Sequence, residues 1–353
     1  MTAGRARALR MRAQRLTTPA RSLAGLLHDV LAVQAQDITA AGLAVRARTT
    51  DVSPADLRAA LDAGDVVRTC AMRGAVHLLR REDVGWLVAL LGPVNVARSR
   101  RRRQELGLTD EVCARALAAL REVLTEPLTR SEVVTRLADV GVALDPTGAA
   151  PSYLLAYAAN EGVVVAGEST YRLLPRTDHE PLGIAELVRR YLRAYGPATV
   201  EDFTAWSGLP EVEVRAAFPF DELVEGEHGW QPPATDAADL DGTVRLLGPF
   251  DTFLLGYADR TLLLDPLHAP LVRPAGPHVV VDGQVRGTWR RRDGRVVVEQ
   301  FGHIPVSELD VEVESVLAWA SSGDPGHGPS TPTPSGAARQ VRRGDPHGAL
   351  GRR

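Results

Sequence analysis

The stretch VVRTCAMRGAVHLL, Val66 to Leu79, reads as a strand or hairpin arm that follows two helical segments. Within it Met72, Val76 and Leu78 alternate onto one face, and Ala71, Arg73, Ala75 and His77 onto the other. Just upstream, Ser53 is an N-cap for a short helix over Pro54 to Ala63. Earlier still, Leu23, Leu26, Leu27, Val30 and Leu31 recur at helical spacing after a start at Thr17, Thr18 and Pro19. That pattern fades near Gln34 to Asp37. Helix, helix, then strand is the order of a winged helix.

The same order returns twice. Leu128 to Val140 is helical, Pro151 to Glu161 is the next helix, and Val163 to Leu174 is a hairpin pivoting on Gly167 to Ser169, a candidate wing. A third pass places Leu187, Tyr191 and Leu192 on one helix and Thr199 to Ser207 on the next. Glu211 to Phe218 follows, and then a short strand pair turning at Gly226 to Gly229. From Val244 onward the character changes to apolar strands at Val244 to Leu247, Val279 to Val281 and Val296 to Phe301, with a last helix near Val311 to Ala320. The expected fold is mainly α with small β, an α+β protein of three tandem winged-helix units and a β-rich C-terminal element. The expected boundaries are 1–105, 106–178, 179–235 and 236–320. Residues 321–353, dense in Gly, Pro and Ser, are expected to form a disordered tail.

Composition removes whole classes of chemistry. All 41 basic residues are arginine, so a Schiff-base lysine, a Walker-A lysine and a kinase-type lysine are excluded. Cys70 and Cys113 form no CxxC pair, and the nine histidines lack metal spacing. No metal or organic cofactor is expected, and a reducing cytoplasm is the natural compartment. The apolar run Trp86 to Ala97 is broken by Gly92, Pro93 and Asn95, which leaves no membrane span. The net charge of −3 conceals an asymmetry: residues 1–150 hold 22 Arg against 16 acidic side chains, the remainder 19 against 28. A basic front half has the sign expected of a nucleic-acid-facing surface.

The segment VQAQD, with Gln34, Ala35, Gln36 and Asp37, lies where the first long helix is expected to end. Residues two apart on a helix do not face each other, so the glutamines converge only where the helix stops or unwinds. Neutral amides can hold a water and touch a sugar without ionising. Asp37 stands beside them as a helper base or as a cap on a neighbouring turn. Read as residues alone, the segment is first of all a polar helix terminus.

VQAQD, the small-residue run to Ala44 and Arg46, RTCAMRGAVHLL at Arg68 to Leu79 and LLGPFDTFLLGYADR at Leu246 to Arg260 together resemble the winged-helix DNA glycosylases of the AlkZ and YcaQ type. The resemblance runs from about residue 5 to 319. It implies three winged helices around a groove for double-stranded DNA. It also implies a glutamine pair, here Gln34 and Gln36, that positions the catalytic water and the deoxyribose. The implied substrates are alkylated purines, including bulky adducts and interstrand crosslinks. Without lysine, excision would proceed without an amine-dependent strand-nicking step. Such a protein would be a cytoplasmic, nucleoid-associated monomer with no membrane partner.

Two positions depart from the family pattern: Cys70 stands where an aromatic is common, and Ala75 where a hydroxyl is common. Around the glutamines, Arg46, Arg73 and His77 are candidate DNA contacts, the last two about 13 Å apart at ~3.3 Å per strand residue. Arg100, Arg101, Arg102 and Arg103, with Arg98 just before them, form the densest charge run and are candidate phosphate ligands. Asp251 and Arg260 are expected to pair as a structural signature. The alternative reading is a non-catalytic winged-helix DNA-binding protein, a regulator or lesion binder, whose glutamines merely line the groove.

Overall fold

A computed structural model describes residues 1–174, 181–233, 235–237 and 240–322, together with the backbone of 339–343. The chain begins with helices α1 (Ala3–Ala13) and α2 (Leu23–Val30), a two-residue strand β1 (Val33–Gln34), and helices α3 (Ile38–Arg46) and α4 (Pro54–Ala63). A hairpin of β2 (Val66–Cys70) and β3 (Val76–Arg80) leads into the long helix α5 (Arg81–Glu105). The second unit contains α6 (Asp110–Val123), β4 (Leu128–Thr129), α7 (Arg130–Asp139), α8 (Ala150–Asn160) and the hairpin β5 (Val164–Ala166) and β6 (Thr170–Leu173). The third has α9 (Ile184–Tyr195), α10 (Val200–Ser207), α11 (Glu211–Ala217) and the small hairpin β7 (Val224–Gly226) and β8 (Gly229–Gln231). Half of the residues are helical and 17% are in strands, so the protein is α+β with small sheets, as expected.

One helix in each unit starts on the same signal. Ser53 with Asp56, Thr129 with Glu132 and Thr199 with Asp202 form capping boxes that open α4, α7 and α10. Each box satisfies two amide donors that a helix start would otherwise leave unpaired.

The two larger hairpins do not stand apart as separate wings. They share one six-stranded sheet in the order β1-β3-β2-β5-β6-β4, joined at the single residue pair Arg68 and Ala166. Helix α5 braces this sheet and packs closely on α8. A side chain at Gly92 would lie 2.2 Å from the Asn160 carbonyl, which is why a glycine interrupts the apolar run there. The apolar run is interrupted there as its sequence indicates, while the backbone continues as one helix with Pro93 inside it.

The first and third units share a core. Leu26, Leu27 and Val30 of α2 belong to the same apolar cluster as Tyr191, Phe203 and Trp206, which extends to Phe253 and Val285. The arginine-studded start, Arg5 to Arg15, forms most of α1, whose Ala6, Leu9 and Met11 are fully buried and which packs on α9. A separate cluster, from Leu108 to Val164 with Cys70, fills the second unit.

The C-terminal element is an antiparallel sheet of β9 (Val244–Leu247), β10 (His278–Val281), β11 (Gln284–Arg292) and β12 (Arg295–Gln300), with the short helix α12 (Thr252–Leu255) in the connection from β9 to β10. It is covered by α13 (Val306–Ser322), which begins five residues earlier than the sequence suggests and also packs on α3. Of the expected tail, Ser321 and Ser322 are instead the last turn of α13, and the described backbone at Arg339–Arg343 forms β13, parallel to β12. The rest lies outside the described residues. Among the described residues no helix is long and apolar enough to cross a membrane.

Candidate active site

Helix α2 stops at Val30, four residues before Gln34, where its end is expected to begin. Leu31 takes a positive φ of 65°, and the chain leaves as the extended strand β1 rather than as a helix foot. This changes the geometry of the glutamine pair. In an extended segment residues two apart share a side. Burial follows that rule: Gln34 is half-exposed, Ala35 fully buried and Gln36 exposed. Val33 and Gln34 pair with Leu78 and His77 of β3, and the Ala35 amide donates to the Val76 carbonyl at 2.8 Å. The Val76 amide in turn points at Gln36 Oε1 at 3.5 Å. Asp37 closes the segment as the N-cap of α3, its Oδ1 accepting from the amides of Thr39 at 2.7 Å and Ala40 at 3.0 Å. The Gln-Ala-Gln peptide is thus held by a sheet on one side and a helix cap on the other.

Gln34, His77 and Thr69 stand in one register across β1, β3 and β2. Residues opposite one another point to the same face, so the three side chains form a polar row. Gln34 Oε1 and Thr69 Oγ1 are buried and without a hydrogen-bond partner. Unpaired buried acceptors are rare and costly, and a site that holds them is prepared for a donor from elsewhere. His77 sits between them, 1% exposed, and burial pushes its pKa down to about 4. It is neutral at pH 7. Its Nδ1 lies 2.8 Å from the Ala75 carbonyl, which can only accept, so the proton is on Nδ1. The expected strand face carrying both Arg73 and His77 does not exist. The chain turns through a 3-10 segment, Met72–Gly74, in which Arg73 has φ 57° and its Nη1 donates to Ala205. Arg73 is exposed near the hairpin tip, whereas His77 is enclosed and uncharged and makes no contact site for a phosphate.

Arg68, which sequence reasoning left without a role, touches the glutamine segment directly. Its Nη2 donates to the Ala35 carbonyl at 3.1 Å, and its Nη1 donates to the carbonyls of Gly167 and Glu168 at 2.8 Å each. Beside it a cavity of about 390 Å3 is lined by Gln36, Thr69, Cys70, Val76 and Tyr171. A larger, more apolar cavity of about 720 Å3 opens on the other side of Glu168, between Ile38, Leu57, Trp289 and Trp319. The only earlier sign of Arg68 was a charged residue directly after Val66 and Val67 in a strand otherwise built of β-formers.

A family model described as DNA glycosylase AlkZ-like matches residues 27–319. The chain belongs to the AlkZ-like DNA glycosylase family. A Streptomyces sahachiroi protein named interstrand DNA cross-link repair glycosylase is 31% identical over 300 aligned positions, covering 71% of this chain and 78% of that protein. The solved structure of the DNA glycosylase AlkZ from the same organism superimposes with a TM-score of 0.75 at 26% identity, covering 97% of this chain and 99% of that one.

Two of the arginines expected to meet DNA, Arg46 and Arg103, are buried in this AlkZ-like chain and hold the fold together. Arg46 is buried and donates to Ser315 Oγ, the Leu246 carbonyl and Glu312 Oε2, which fastens α3 to the C-terminal element. Arg103 is buried too, with its guanidinium 4.3 Å from the Tyr157 ring centroid and its Nη2 donating to the Val96 carbonyl. Arg100, Arg101 and Arg102 remain exposed, each bridged to Asp110 or Glu105. Asp251 does not pair with Arg260. Its partner is Arg48, while Arg260 Nε donates to the Leu254 carbonyl. The cause is depth: Asp251 and Arg48 are each 1% exposed at the side chain, and a fork-to-fork bond between them satisfies both charges. Among the described residues no cluster of His, Cys, Asp and Glu could hold a metal ion.

Proposed function

We propose that this AlkZ-like protein hydrolyses the N-glycosidic bond of alkylated purines in double-stranded DNA, N7-alkylguanine and N3-alkyladenine among them. Bulky adducts and interstrand crosslinks, as the name of the Streptomyces relative suggests, belong to the same substrate class. Gln34 and Gln36 hold the water and the deoxyribose. The observation that carries this reading is the unpartnered, buried Oε1 of Gln34, two residues from the exposed Gln36 on an extended segment that pairs with the sheet.

The chemistry asks little of the protein. An alkylated purine carries a positive charge, so the C1′–N bond breaks with its electron pair going to the base, which leaves neutral. C1′ becomes an oxocarbenium ion, to which water adds and from which one proton departs to solvent. Gln34 Oε1 accepts a hydrogen bond from that water and turns its lone pair toward C1′, an electrostatic contribution made by a neutral, fixed dipole. No strong general acid is needed. The chain contains no lysine, so the reaction ends at an abasic site, without a lysine-dependent lyase step. Arg73, Arg100, Arg101 and Arg102 are exposed and serve as phosphate contacts, the last three by exchanging an acidic partner for the backbone.

The test is single-turnover incubation with duplex DNA containing N7-methylguanine, followed by alkali, for the wild type and for Gln34→Ala with Gln36→Ala. Alkali-dependent breaks from the wild type alone are expected, with duplex affinity nearly unchanged in the variant. Equal cleavage by the double variant would remove the glutamines from the mechanism. Salt-sensitive binding with no release from methylated or crosslinked duplex would make the protein a binding module.

A further inference from the structure

We propose that Arg68 is a positioning residue for the glutamine pair: its guanidinium locks the Gln34-Ala35-Gln36 peptide to the hairpin of the second unit, so that the wing sets where the two amides point. The inference rests on the glycosylase reading of those glutamines.

The six-stranded sheet has a seam between β2 and β5. Units one and two meet there through one residue pair, Arg68 with Ala166, which is a short ladder for joining two hairpins. The side chain of Arg68 supplies what the ladder lacks. It spans from the turn after β5, where the Gly167 and Glu168 carbonyls accept from Nη1, to the peptide between the glutamines, where Ala35 O accepts from Nη2. Three backbone carbonyls from segments 99, 100 and 33 residues distant are gathered by one planar group. A guanidinium can do this because its donors lie in a rigid fork, whereas an ammonium is a point donor.

The position of the contact matters more than its strength. Ala35 is fully buried, so its peptide is the pivot about which the flanking side chains swing outward. On the other side of Ala35, its own amide, in the preceding peptide unit, donates to the Val76 carbonyl. Both backbone polar groups of Ala35 are therefore committed, the amide to the hairpin of the first unit and the carbonyl, through Arg68, to the hairpin of the second. A displacement of the second hairpin on the duplex would carry the Ala35 carbonyl with it. Arg68 has no acidic side chain in its hydrogen-bond set.

The experiment compares wild type, Arg68→Met and Arg68→Lys as full chains, with three readouts. These are the excision rate at saturating protein, the duplex dissociation constant, and amide hydrogen exchange in peptides covering residues 33–37 and 164–170. For Arg68→Met the excision rate should fall about tenfold or more, as a misplaced catalytic group requires. Duplex affinity should change by less than about threefold, since charge loss at one site costs roughly one phosphate's worth of salt-dependent binding at most. Exchange should rise in both peptides together, while peptides from α9 stay at wild-type protection. Arg68→Lys should fall between the two, and it decides the matter if Arg68→Met does not fold.

An unchanged excision rate at saturation, or an unchanged 33–37 peptide, would overturn the proposal. If the wild type releases no base, the glycosylase reading fails on its own. Exchange then judges the clamp alone: a joint rise in both peptides upholds it, and no rise refutes it.

Discussion

Arg48 and Asp251, 203 residues apart, meet through two hydrogen bonds of 2.7 Å in the interior of the protein. Arg48 also donates to Gln14 Oε1, and Gln14 Nε2 donates to the Ala194 carbonyl, so one buried network ties α1, the end of α3, α9 and the C-terminal element. Breaking one side of such a pair strands a charge. Arg48→Met is expected to cost about 3–5 kcal/mol, and adding Asp251→Leu to recover a good part of that loss. Urea midpoints of the two single variants and the double variant check this; additive losses would contradict it.

The two glutamines should not be equivalent. Gln34 is anchored in a strand with its Oε1 buried, while Gln36 is exposed and reaches only a long contact with the Val76 amide. Gln34→Ala should therefore depress single-turnover excision more than Gln36→Ala, by roughly the 2.7–4 kcal/mol typical of removing one fixed dipole at a reacting centre. Rate constants at saturating protein measure the difference. The reverse order would move the water to Gln36.

Asp37 is expected to act as a cap. Asparagine caps as well as aspartate, so Asp37→Asn should keep both stability and excision, whereas Asp37→Ala should lose about 1 kcal/mol. A pH–rate profile for Asp37→Asn is the discriminating measurement: a loss of about a hundredfold, the scale of a missing general base, would restore the helper role.

Burial holds His77 near pKa 4, against about 6.5 in an unfolded chain. Between those values the unfolded state takes a proton that the native state refuses, so stability falls as pH drops from 6.5 toward 4. This one residue should remove roughly 2 kcal/mol between pH 7 and pH 5, and burial pushes His278 in the same direction. His77→Phe should flatten the pH dependence of the urea midpoint. Excision by the wild type should not show a titration of His77 above pH 5.

Exposed arginines on α5 should register in the salt dependence of binding. Replacing Arg100, Arg101 and Arg102 with glutamine is expected to make the log–log slope shallower by up to about 2.7, with little effect on the excision rate. Filter binding across 50–200 mM salt reads this, and an unaltered slope would leave these side chains to their acidic neighbours.

The hairpin at Val163 to Leu174 was legible because its turn residues and β-formers sit close together, and the strands lie at 164–166 and 170–173. The three capped helices were legible for the same local reason. The surroundings of the glutamines were not. A two-residue strand has no period to detect, and nothing about Leu31 announces a positive φ. Arg46, Arg103 and His77 look like surface charges in a line of text; their burial depends on partners such as Glu312, 266 positions from Arg46. Asp251 was singled out as part of a pair, but its partner could not be chosen locally, because Arg260 is near in the chain and Arg48 is near in space.

The shared core of the first and third units has a consequence for biogenesis. Leu26, Leu27 and Val30 are covered by Tyr191, Phe203, Trp206 and finally Val285. At synthesis rates of about 5–20 residues per second, the roughly 200 residues between them take about 10–40 s to emerge. Through that interval the nascent amino-terminal unit carries uncovered apolar surface and cannot reach its final packing. The protein is therefore expected to draw on ribosome-associated chaperones, and a chain truncated after the second unit would aggregate rather than survive as a smaller DNA-binding fragment.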